Sequence, residues 1–509
     1  MKETTKKEKT NQENAKKPNV VFLISAAITI AIALWGIISN DSFSGSANQL
    51  MASLKQNFSW LYLGVMLFFV VFSLIIAFSK FGKIRLGADD ERPEYSTISW
   101  FAMLFAAGMG IGLVFWGVAE PISHYVSPMK GIEPHSAEAA RFSIRSCIMH
   151  WGLHPWACYA VMGLGLAFFQ FRKKESALAS NLFKPMLGDK KAKGPIGKAI
   201  DIFTTIITVT GVATSFGMGC LQICSGLEHL FSIPNKMLTW ITVITIICFI
   251  YLQSAISGVG KGVKLLSNIN LVLFSFLLIL AFFIGPAGEI LNYLLVGIKD
   301  YLVNFIPDSL RLSSQGDSSW IQDWRVFYWA WWLSWAPFVG VFIARISRGR
   351  TIREFILGVM IIPTAVSAVW FSTFGGVSLH AAGNFAKEQL AEIAAAPQTT
   401  LFYIFDQYKA GIILSLIAIV LLIIFFITSA DSATFVLSML TSDGELNPPN
   451  NKKIFWGILI AVVAFALIMS GSISVIQTIS IVIAFPYLFI LLLICVNLVI
   501  EMKKDQHES

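Results

Sequence analysis

Tryptophan is concentrated in one segment that is apolar enough to cross a membrane. Six of the 15 tryptophans lie between Trp320 and Trp335, and the apolar run from Val326 to Ala344 is long enough to span a bilayer. Tryptophan usually marks the level where lipid meets headgroups, yet the last four continue inward by one to two turns. These four are Trp329, Trp331, Trp332 and Trp335. An indole face attracts a cation without hydrogen-bond donors by about 0.5–2 kcal/mol. The segment therefore predicts a site for a quaternary ammonium group, and the alternative is packing with interfacial anchoring.

A second aromatic group occurs in the sequence HWGLHPW at residues 150–156, followed by Tyr159. On a helix, Trp156 and Tyr159 are three positions apart and share a face, and Trp151 lies about a turn and a half earlier. Alone, this group is equally typical of an interfacial aromatic belt. Together with the Trp320–Trp335 segment, it could close a cage around a cation.

The sequence AAGMGIG, from Ala106 to Gly112, contains three closely spaced glycines. It is not a dinucleotide-binding fingerprint, because Leu113 stands where a small residue is required and no strand precedes it. Gly108 and Gly112 match the small-xxx-small pattern of helix packing, whereas Gly110 weakens a helix further than packing requires. We therefore expect a kinked or unwound backbone here, whose N–H groups face a carboxylate and whose carbonyl groups face a cation.

A polar group, TSADS at residues 428–432, interrupts another apolar segment. Its hydroxyl groups, on Thr428 and Ser429, can return hydrogen bonds to carbonyl groups one turn earlier, which is one interpretation. The other is a site for Na⁺, because a hard cation prefers oxygen ligands. Asp431 lies near the end of the apolar run, so it is a functional candidate that could equally pair with an arginine.

Charged residues flank two of these segments. Arg345, Arg348, Arg350 and Arg353 follow the tryptophan-rich segment. They are typical of topology anchors and helix C-terminal charges, and gating ion pairs are the alternative. Glu120, in the sequence GVAEP, is expected to face the outside and to belong to an outer gate.

The composition requires a membrane protein around these groups. The chain has 509 residues, of which 56% are hydrophobic and 13% charged, and its mean hydropathy is +0.69. Apolar runs recur along nearly the whole length, which identifies a polytopic membrane protein. A cleavable signal is not expected, because residues 1–18 are polar and the first apolar run, 19–38, is too long. The 6 cysteines lack zinc-site spacing and are interpreted as core residues.

Twelve apolar runs are long enough to be membrane spans. Their approximate limits are 19–38, 59–79, 97–118, 144–170, 200–231, 237–257, 268–292, 325–346, 355–376, 410–440, 455–473 and 477–500. Alternate threading places 28 of the 38 lysines and arginines on the side of the N-terminus. The positive-inside rule therefore predicts that both termini are cytoplasmic. The same bias accounts for the net charge of +8 without a nucleic-acid partner.

Three connections between the spans have features of their own. Residues 290–312 mix apolar and polar side chains and predict an amphipathic helix at the outer membrane interface. Residues 386–407 predict an outer surface loop with a short helix. Residues 171–198 form the longest inner connection, and their basic side chains suit anionic lipid.

Prolines and glycines interrupt several spans. Pro337, Pro363 and Pro486 fall within spans 8, 9 and 12, and four glycines fall within span 3. Interrupted spans at matching places in two halves mark the binding site of secondary transporters. Spans 3 and 8 are five apart, so each opens a five-helix unit, 3–7 or 8–12. Because five is odd, one unit is inverted relative to the other.

At these motifs the chain resembles the betaine/choline/carnitine transporter family, from about Lys17 to Lys503. The matching sequences are GMGIG at 108–112, HWGLHPW at 150–156, FYWAWWLSWAPFVGVFIARISRGRTIREF at 327–355 and ITSADSATFVL at 427–437. The resemblance implies an all-α membrane protein with twelve transmembrane helices. Two peripheral helices precede two inverted five-helix repeats of the sodium-coupled amino-acid transporter type. It also implies a homotrimer in the cell membrane that works by alternating access.

The resemblance divides the chain into six parts. They are a basic cytoplasmic tail (1–18), two peripheral helices (19–96), a first repeat (97–292), an interfacial helix with an outer loop (293–324), a second repeat (325–500) and a short cytoplasmic tail (501–509). The N-terminal tail of this chain is basic and its C-terminal tail is short, whereas strongly osmosensing relatives have long charged tails. Built-in osmotic gating is therefore not expected here.

The resemblance also implies the residues that bind the substrate. A trimethylammonium group would lie at the midplane in an aromatic box that consists of Trp151, Trp156, Tyr159 and Trp332. Trp331 and Trp335 would lie close by. Backbone groups of Ala107, Gly108 and Met109 would meet the substrate carboxylate.

Two ion sites are implied in the same way, with Na⁺ as the coupling ion and no cofactor. One Na⁺ would be held by carbonyl groups of Ala106, Met109 and Phe425 and by hydroxyl groups of Thr428 and Ser429. A second ion site would involve Thr208 and Phe338. Val212 stands where sodium-coupled relatives can carry a hydroxyl group, so this chain departs from the family pattern there.

We therefore predict a Na⁺-coupled symporter in the lipid bilayer that imports a quaternary ammonium compatible solute for osmoprotection, glycine betaine in the first place. Gly112 favours betaine, because choline-preferring relatives tend to have Asp at this position to balance a net cation. A choline or carnitine carrier is the alternative, the latter as a Na⁺-independent exchanger. A membrane enzyme or a channel is a rival from another class. The enzyme is disfavoured, since no HExxH, nucleophile elbow or pair of membrane carboxylates occurs.

Overall fold

The structure is a computed structural model, and it describes residues 19–108, 110–257, 260–311, 318–469 and 473–508. Within these ranges the fold is all-helical, as predicted. Apart from helices and turns, the described residues contain one isolated β-bridge, between Arg85 and Thr351.

The α-helices of the described residues follow one another with short connections. In chain order they are α1 (Val20–Ile38), α2 (Asn40–Phe78), α3 (Thr97–Gly108), α4 (Ile111–Val126), α5 (Ala137–Trp151), α6 (Leu153–Ala167), α7 (Lys184–Ala192), α8 (Pro195–Phe231), α9 (Met237–Ser257), α10 (Gly260–Ile284), α11 (Ala287–Val303), α12 (Phe305–Leu310), α13 (Ser318–Trp320), α14 (Phe327–Arg345), α15 (Ile352–Ala382), α16 (Lys387–Ala395), α17 (Pro397–Phe405), α18 (Gly411–Leu440), α19 (Asn450–Ile468) and α20 (Ile473–Glu508). A π-helical segment, Phe168–Arg172, extends α6, and another, Ile321–Val326, joins α13 to α14.

Twelve membrane spans can be assigned among the described residues. Eleven helical segments are long and apolar enough to cross a membrane. The twelfth span is split into α3 and α4, which have 12 and 16 residues. Span 3 is therefore α3 with α4, span 4 is α5 with α6, and span 8 is α14. Spans 1 and 2 are α1 and α2, spans 5 to 7 are α8 to α10, span 9 is α15, and spans 10 to 12 are α18 to α20.

Several spans differ in length from the prediction. Helix α2 begins at Asn40 rather than at 59, and span 3 continues to Val126 rather than to 118. Helix α10 ends at Ile284, so the predicted boundary at residue 292 falls inside α11. Gly285 and Pro286 explain this end, because the residue before a proline is disfavoured in a helix.

Contacts between spans occur in matching pairs, as expected of two five-helix repeats. Where two spans pack together, the corresponding two spans also pack together. Span 3 packs against span 9, and its counterpart, span 8, packs against span 4. Span 5 packs against span 11, and its counterpart, span 10, packs against span 6. Spans 4, 5 and 6 also pack against their own counterparts, spans 9, 10 and 11. Spans 3, 4, 8 and 9 thus form one group of helices, and spans 5, 6, 10 and 11 form the other.

The interruption of span 3 is confirmed, but three proline interruptions are not. Gly110, between α3 and α4, has φ −147° and ψ −144°, which is far from helical. By contrast, Pro337, Pro363 and Pro486 each lie inside an uninterrupted helix. A proline removes only one hydrogen bond, and a packed membrane helix tolerates this loss when neighbouring groups satisfy the freed carbonyl.

The two predicted outer segments differ in outcome. Helices α11 and α12 confirm a helix within residues 290–312, and α11 packs against α5 and α15. For residues 386–407 the predicted short helix is confirmed, but the segment forms two helices, α16 and α17, that pack against span 3, rather than a surface loop. Phe402 is buried, and a Cβ atom at Gly226 would lie 2.5 Å from its Cζ atom. The apolar face of α17 therefore covers the ends of spans 3 and 5.

At the opposite ends of the spans, the loops 80–96 and 346–351 pair with each other, and we call them the loop pair. Leu86 N–H donates to the Arg350 carbonyl over 2.8 Å, and Gly349 N–H donates to the Leu86 carbonyl over 2.8 Å. The Arg350 guanidinium lies 4.0 Å above the ring of Trp100 in α3. The indole N–H of Trp100 donates to the Ser347 hydroxyl over 2.9 Å.

The remaining arginines of this segment also have local partners. Arg353 donates to the Ala77 carbonyl over 2.9 Å, and Arg348 pairs with Glu91. Arg345 lies 5.4 Å from the ring centroid of Phe435. These contacts join the ends of span 2 and span 9, and those of span 8 and span 10.

Candidate substrate and ion site

The break in span 3 exposes helix ends within the fold. Helix α4 begins at Ile111, and its N-cap residue, Gly110, makes no side-chain cap. The N–H of Leu113 donates to the Gly110 carbonyl over 3.1 Å, and the other N–H groups of the first turn are candidates for binding an anion. Ala106, Ala107 and Gly108 belong to the last turn of α3, and Met109 lies outside the described residues. The predicted carboxylate-binding backbone therefore borders an interrupted helix.

Gly112 lies where spans 3, 4 and 8 meet. A Cβ atom at this position would lie 2.7 Å from Cη2 of Trp331 and 3.0 Å from Cη2 of Trp151. Real Cβ atoms do not approach other atoms as closely as 2.7 Å, so only glycine fits without movement of an indole. The close approach predicted from the small-xxx-small pattern is thus to two indole edges.

Span 4 is also interrupted, which the sequence analysis did not predict. Helix α5 ends at Trp151 and α6 begins at Leu153, with Gly152 between them. Pro155 explains the break, because its ring would clash with the carbonyl four residues earlier in a continuous helix. The freed N–H of Leu153 donates to the hydroxyl of Tyr301 in α11 over 3.1 Å.

The four residues of the aromatic box are in contact and buried. The Trp156 and Tyr159 ring centroids are 5.5 Å apart with planes at 89°. Tyr159 lies 6.3 Å from Trp332 at 84°, and Trp332 lies 4.8 Å from Trp151 at 72°. Each ring therefore meets the next edge to face, an arrangement that aromatic pairs favour. Spans 4 and 8 together supply nearly perpendicular walls.

The indole N–H groups of Trp331, Trp332 and Trp335 in span 8 have hydrogen-bond partners in the protein. Trp332 donates to the His150 carbonyl over 2.8 Å. Trp335 donates to the Gly211 carbonyl over 2.9 Å. Trp331 stacks on Trp332 at 4.7 Å, and its N–H donates to a hydroxyl group of α8 over 3.3 Å. These bonds fix the orientation of the three rings.

Tyr159 is the one residue of the aromatic box that has a hydroxyl group. Its oxygen is buried and has no hydrogen-bond partner among the described residues. Buried polar atoms are usually paired, so this oxygen is a candidate contact for a ligand.

The hydroxyl groups of span 10 lie beside the break in span 3. A Cβ atom at Gly110 would lie 3.7 Å from the Ser429 hydroxyl. The Thr428 hydroxyl donates to the Ile424 carbonyl over 2.9 Å and to the Phe425 carbonyl over 3.2 Å. The expected return of hydrogen bonds within the helix is therefore present. It uses the hydroxyl proton and leaves lone pairs on the oxygen for a cation.

The residues of the second predicted ion site lie on facing helices. Thr208 in α8 donates to the Thr204 carbonyl over 2.7 Å. The ring of Phe338 in α14 packs edge-on against Trp335 at 5.5 Å. Each residue lies about one turn from the hydrogen bond between Trp335 and Gly211, which joins the two helices.

Glu120 was wrongly expected to face the outside. It is fully buried, because span 3 continues beyond it, and it accepts hydrogen bonds from span 4 and span 8. The donors are Trp151 and Tyr328, and ring nitrogens of His150 and of His124, in span 3 itself, lie within hydrogen-bond distance of the carboxylate. His124 and Tyr328 were not among the residues predicted from the sequence. The signal that could have identified this cluster is the carboxylate of Glu120 inside a span, because such groups are rarely without function.

A twelve-span helical fold with broken helices that meet at an aromatic box is that of a membrane transporter. The family profile described as BCCT, betaine/carnitine/choline family transporter, matches residues 20–507. The chain belongs to this family. It is therefore a multi-pass membrane transporter and not an enzyme.

Similar proteins occur in several bacteria. The chain is 46% identical over 492 residues to the glycine betaine transporter OpuD of Bacillus subtilis, covering 96% of this chain and 95% of that protein. It is 41% identical to a probable glycine betaine transporter of Desulfitobacterium hafniense, with 96% and 98% covered. It is 40% identical to an ectoine/hydroxyectoine transporter of Virgibacillus pantothenticus, with 96% and 98% covered.

Proposed function

We propose that the protein imports glycine betaine, a zwitterionic compatible solute, with Na⁺ as the coupling ion. The observation that carries this proposal is the set of perpendicular faces formed by Trp151, Trp156, Tyr159 and Trp332. A quaternary ammonium group has no hydrogen-bond donor, so aromatic faces suit it better than polar groups do. The names of the two glycine betaine transporters among its relatives support the same substrate.

The carboxylate of betaine requires a separate partner. The uncapped first turn of α4 supports this part of the proposal, because helix N-termini bind anions. We assign the contact to the backbone of Ala107, Gly108 and Met109, with Gly112 beside it. Choline lacks a carboxylate and would leave these groups unused.

For the coupling ion, we propose a site between span 3 and span 10. The position of Ser429 next to Gly110 supports it, as does the free acceptor capacity of the Thr428 hydroxyl. The proposed oxygen ligands are those of Ala106, Met109, Phe425, Thr428 and Ser429. The second ion site, with Thr208 and Phe338, is proposed on the family resemblance.

Alternating access and a homotrimer complete the proposal. The matching span contacts of the two five-helix repeats support alternating access, because inverted repeats can adopt each other's conformation. An exposed apolar stripe on α11 supports contact with lipid or with another copy of the chain. Its members are Leu291, Leu295, Ile298 and Leu302. Both termini are assigned to the cytoplasm by the distribution of lysine and arginine.

Ectoine is a second candidate substrate. One relative is an ectoine/hydroxyectoine transporter, and the cation of ectoine is a ring amidinium with N–H donors. The unpartnered Tyr159 hydroxyl favours such a ligand, because its oxygen can accept a hydrogen bond. Betaine could not make this bond.

Transport by proteoliposomes tests the proposal. We expect labelled betaine to accumulate with an inward Na⁺ gradient and not with an equal K⁺ gradient. Unlabelled betaine should compete best, ahead of ectoine, choline and carnitine. Uptake without a Na⁺ gradient would refute the coupling, and better competition by another solute would replace betaine as the substrate.

A further inference from the structure

The buried carboxylate of Glu120 in α4 is a hydrogen-bond hub directly behind the aromatic box. Its Oε1 atom lies 2.7 Å from Nδ1 of His150 and 3.2 Å from Nε2 of His124. Its Oε2 atom accepts from the indole N–H of Trp151 over 2.9 Å and from the hydroxyl of Tyr328. One oxygen therefore takes the two histidines, and the other takes the two aromatic donors.

We propose that Glu120 is a positioning residue that gives the aromatic box a buried negative charge. Through Oε2 it fixes Trp151, and its charge favours a cationic head group over a neutral group of the same shape. The inference rests on the proposed function, since it concerns the head group that binds in the box. Glu120 would then help to select the substrate without touching it.

The donors around Glu120 match an ionised carboxylate. An ionised carboxylate only accepts hydrogen bonds, and the Trp151 and Tyr328 groups both donate to it. On the histidines, Nδ1 of His124 and Nε2 of His150 have no partner among the described residues. Neutral rings with their N–H groups directed at Glu120 leave only acceptor nitrogens unpaired. Four donors thus stabilise one negative charge.

Both aromatic donors are in ring contact with the box. Trp151 is itself a wall, and Tyr328 lies 5.8 Å from Trp332 at 27°. Trp151 and Tyr328 meet at 5.7 Å. A carboxylate that accepts from an indole N–H makes the ring face more negative, because hydrogen bonds polarise the groups that form them. A more negative face binds a cation more tightly.

No arginine or lysine forms an ion pair with Glu120 within the part of the chain that the structure describes. The charged neighbour is Arg325, whose guanidinium lies 5.5 Å from the ring centroid of Trp320 and donates to the Asp308 carbonyl. Trp320 in turn stacks on His150 at 5.9 Å. Arg325 thus contacts Trp320, which stacks on His150, and among the described residues it forms no ion pair with Glu120.

A transition-metal site is the competing interpretation. Ligand atoms of Glu120, His124 and Cys147 lie within 4.8 Å of one another, and these residue types bind zinc. However, each Glu120 oxygen already accepts two hydrogen bonds, which occupy the lone pairs that a metal would need. The geometry therefore favours the hydrogen-bond hub.

Glu120→Gln is a suitable variant because it removes the charge and can keep the network. The amide oxygen can accept from Trp151 and Tyr328, as Oε2 does. The amide NH₂ can donate to His124 and His150, because each neutral ring can move its proton to the other nitrogen. Glu289→Gln is the matched control, since Glu289 also pairs with a histidine, His380, over 3.2 Å, and it lies exposed in α11.

The test compares two ligands of the same shape. Betaine has a trimethylammonium group, and 3,3-dimethylbutanoate has a tert-butyl group in its place and the same carboxylate. In Glu120→Gln, we expect the dissociation constant for betaine to rise about 10-fold and that for 3,3-dimethylbutanoate to change less than about 2-fold. In Glu289→Gln neither constant should change. Binding is measured by competition with labelled betaine in detergent-solubilised protein.

Three outcomes would overturn the inference. An equal loss for both ligands would make Glu120 a purely structural residue, and no loss for either would remove it from substrate selection. Zinc in stoichiometric amount in the purified wild type, absent from Glu120→Gln, would establish the metal site instead. If the wild type does not bind betaine more tightly than 3,3-dimethylbutanoate, the proposed function itself fails, which distinguishes that failure from the others.

Discussion

The hydroxyl of Tyr301 accepts a hydrogen bond from the backbone N–H of Leu153 over 3.1 Å. This bond joins α11, which lies outside the spans, to the break in span 4. Trp151 precedes the break and Trp156 follows it. The angle between two walls of the aromatic box therefore depends on a residue that does not belong to the box.

Tyr301→Phe should destabilise the protein and weaken binding of betaine. The variant leaves the partly buried N–H of Leu153 without its partner, at a cost of up to about 1–3 kcal/mol. We expect a lower melting temperature and a higher dissociation constant. Tyr293→Phe, on the same helix, is the control, because no hydrogen bond of the Tyr293 hydroxyl occurs among the described residues. Equal melting temperatures for the two variants would contradict this role.

Trp332→Ala should lose more affinity for betaine than Trp332→Phe. Alanine removes the aromatic face, and phenylalanine keeps a weaker one, although both lose the bond to the His150 carbonyl. We expect a difference of about 1–2 kcal/mol between alanine and tryptophan, or roughly five- to thirty-fold in affinity. Trp329→Phe is the control, because the Trp329 N–H has no partner among the described residues. The same dissociation constant in all variants would remove the aromatic box from substrate binding.

Substitutions at Gly112 should separate volume from charge. Gly112→Asn should raise the dissociation constant for betaine about 10-fold, because a Cβ atom there displaces Trp331 or Trp151. Gly112→Asp adds a negative charge, so its preference for choline over betaine should exceed that of Gly112→Asn. Gly64→Ala is the control, since a Cβ atom there meets nothing within 4 Å. Equal preferences in the Asp and Asn variants would end the use of Gly112 to assign the substrate.

The double variant Thr428→Ala, Ser429→Ala should need more Na⁺ for half-maximal transport. Two hydroxyl ligands are lost, and linkage requires that the affinity for betaine at fixed Na⁺ falls as well. Ser438→Ala is the control, because Ser438 lies on the same helix and donates to the Thr434 carbonyl over 2.7 Å. An unchanged Na⁺ dependence would leave Thr428 and Ser429 as hydrogen-bonding residues of the helix only.

The break in span 3 could be predicted because three glycines in five residues oppose a helix. The break in span 4 could not be predicted in the same way. It rests on one glycine, Gly152, and on Pro155, whose effect depends on a partner for the freed N–H. That partner, Tyr301, lies 148 residues away in the sequence. Pro337 is the opposite case: it is a proline within a span, yet helix α14 continues through it.

The place of Glu120 depended on where span 3 ends. An apolar run ended at 118 in the sequence analysis, whereas the helix continues to Val126. Packing against other helices, rather than the hydropathy of the segment itself, accounts for burial of the last two turns. The four rings of the aromatic box were identified from the family resemblance, but their perpendicular arrangement follows from tertiary contacts.

The loop pair has a mechanical consequence. Leu86 is bonded to Gly349 and Arg350, and Trp100 is held by Ser347 and Arg350. Separating the start of α3 and the loop before it from the loop after α14 would break these hydrogen bonds, at roughly 0.5–1.5 kcal/mol each. A movement that preserves these hydrogen bonds must displace the start of α3 and the end of α14 together as a rigid unit. The chain could then bend at Gly110, whose backbone is not helical. A hinge at this position would coincide with the place where substrate and ion are proposed to bind.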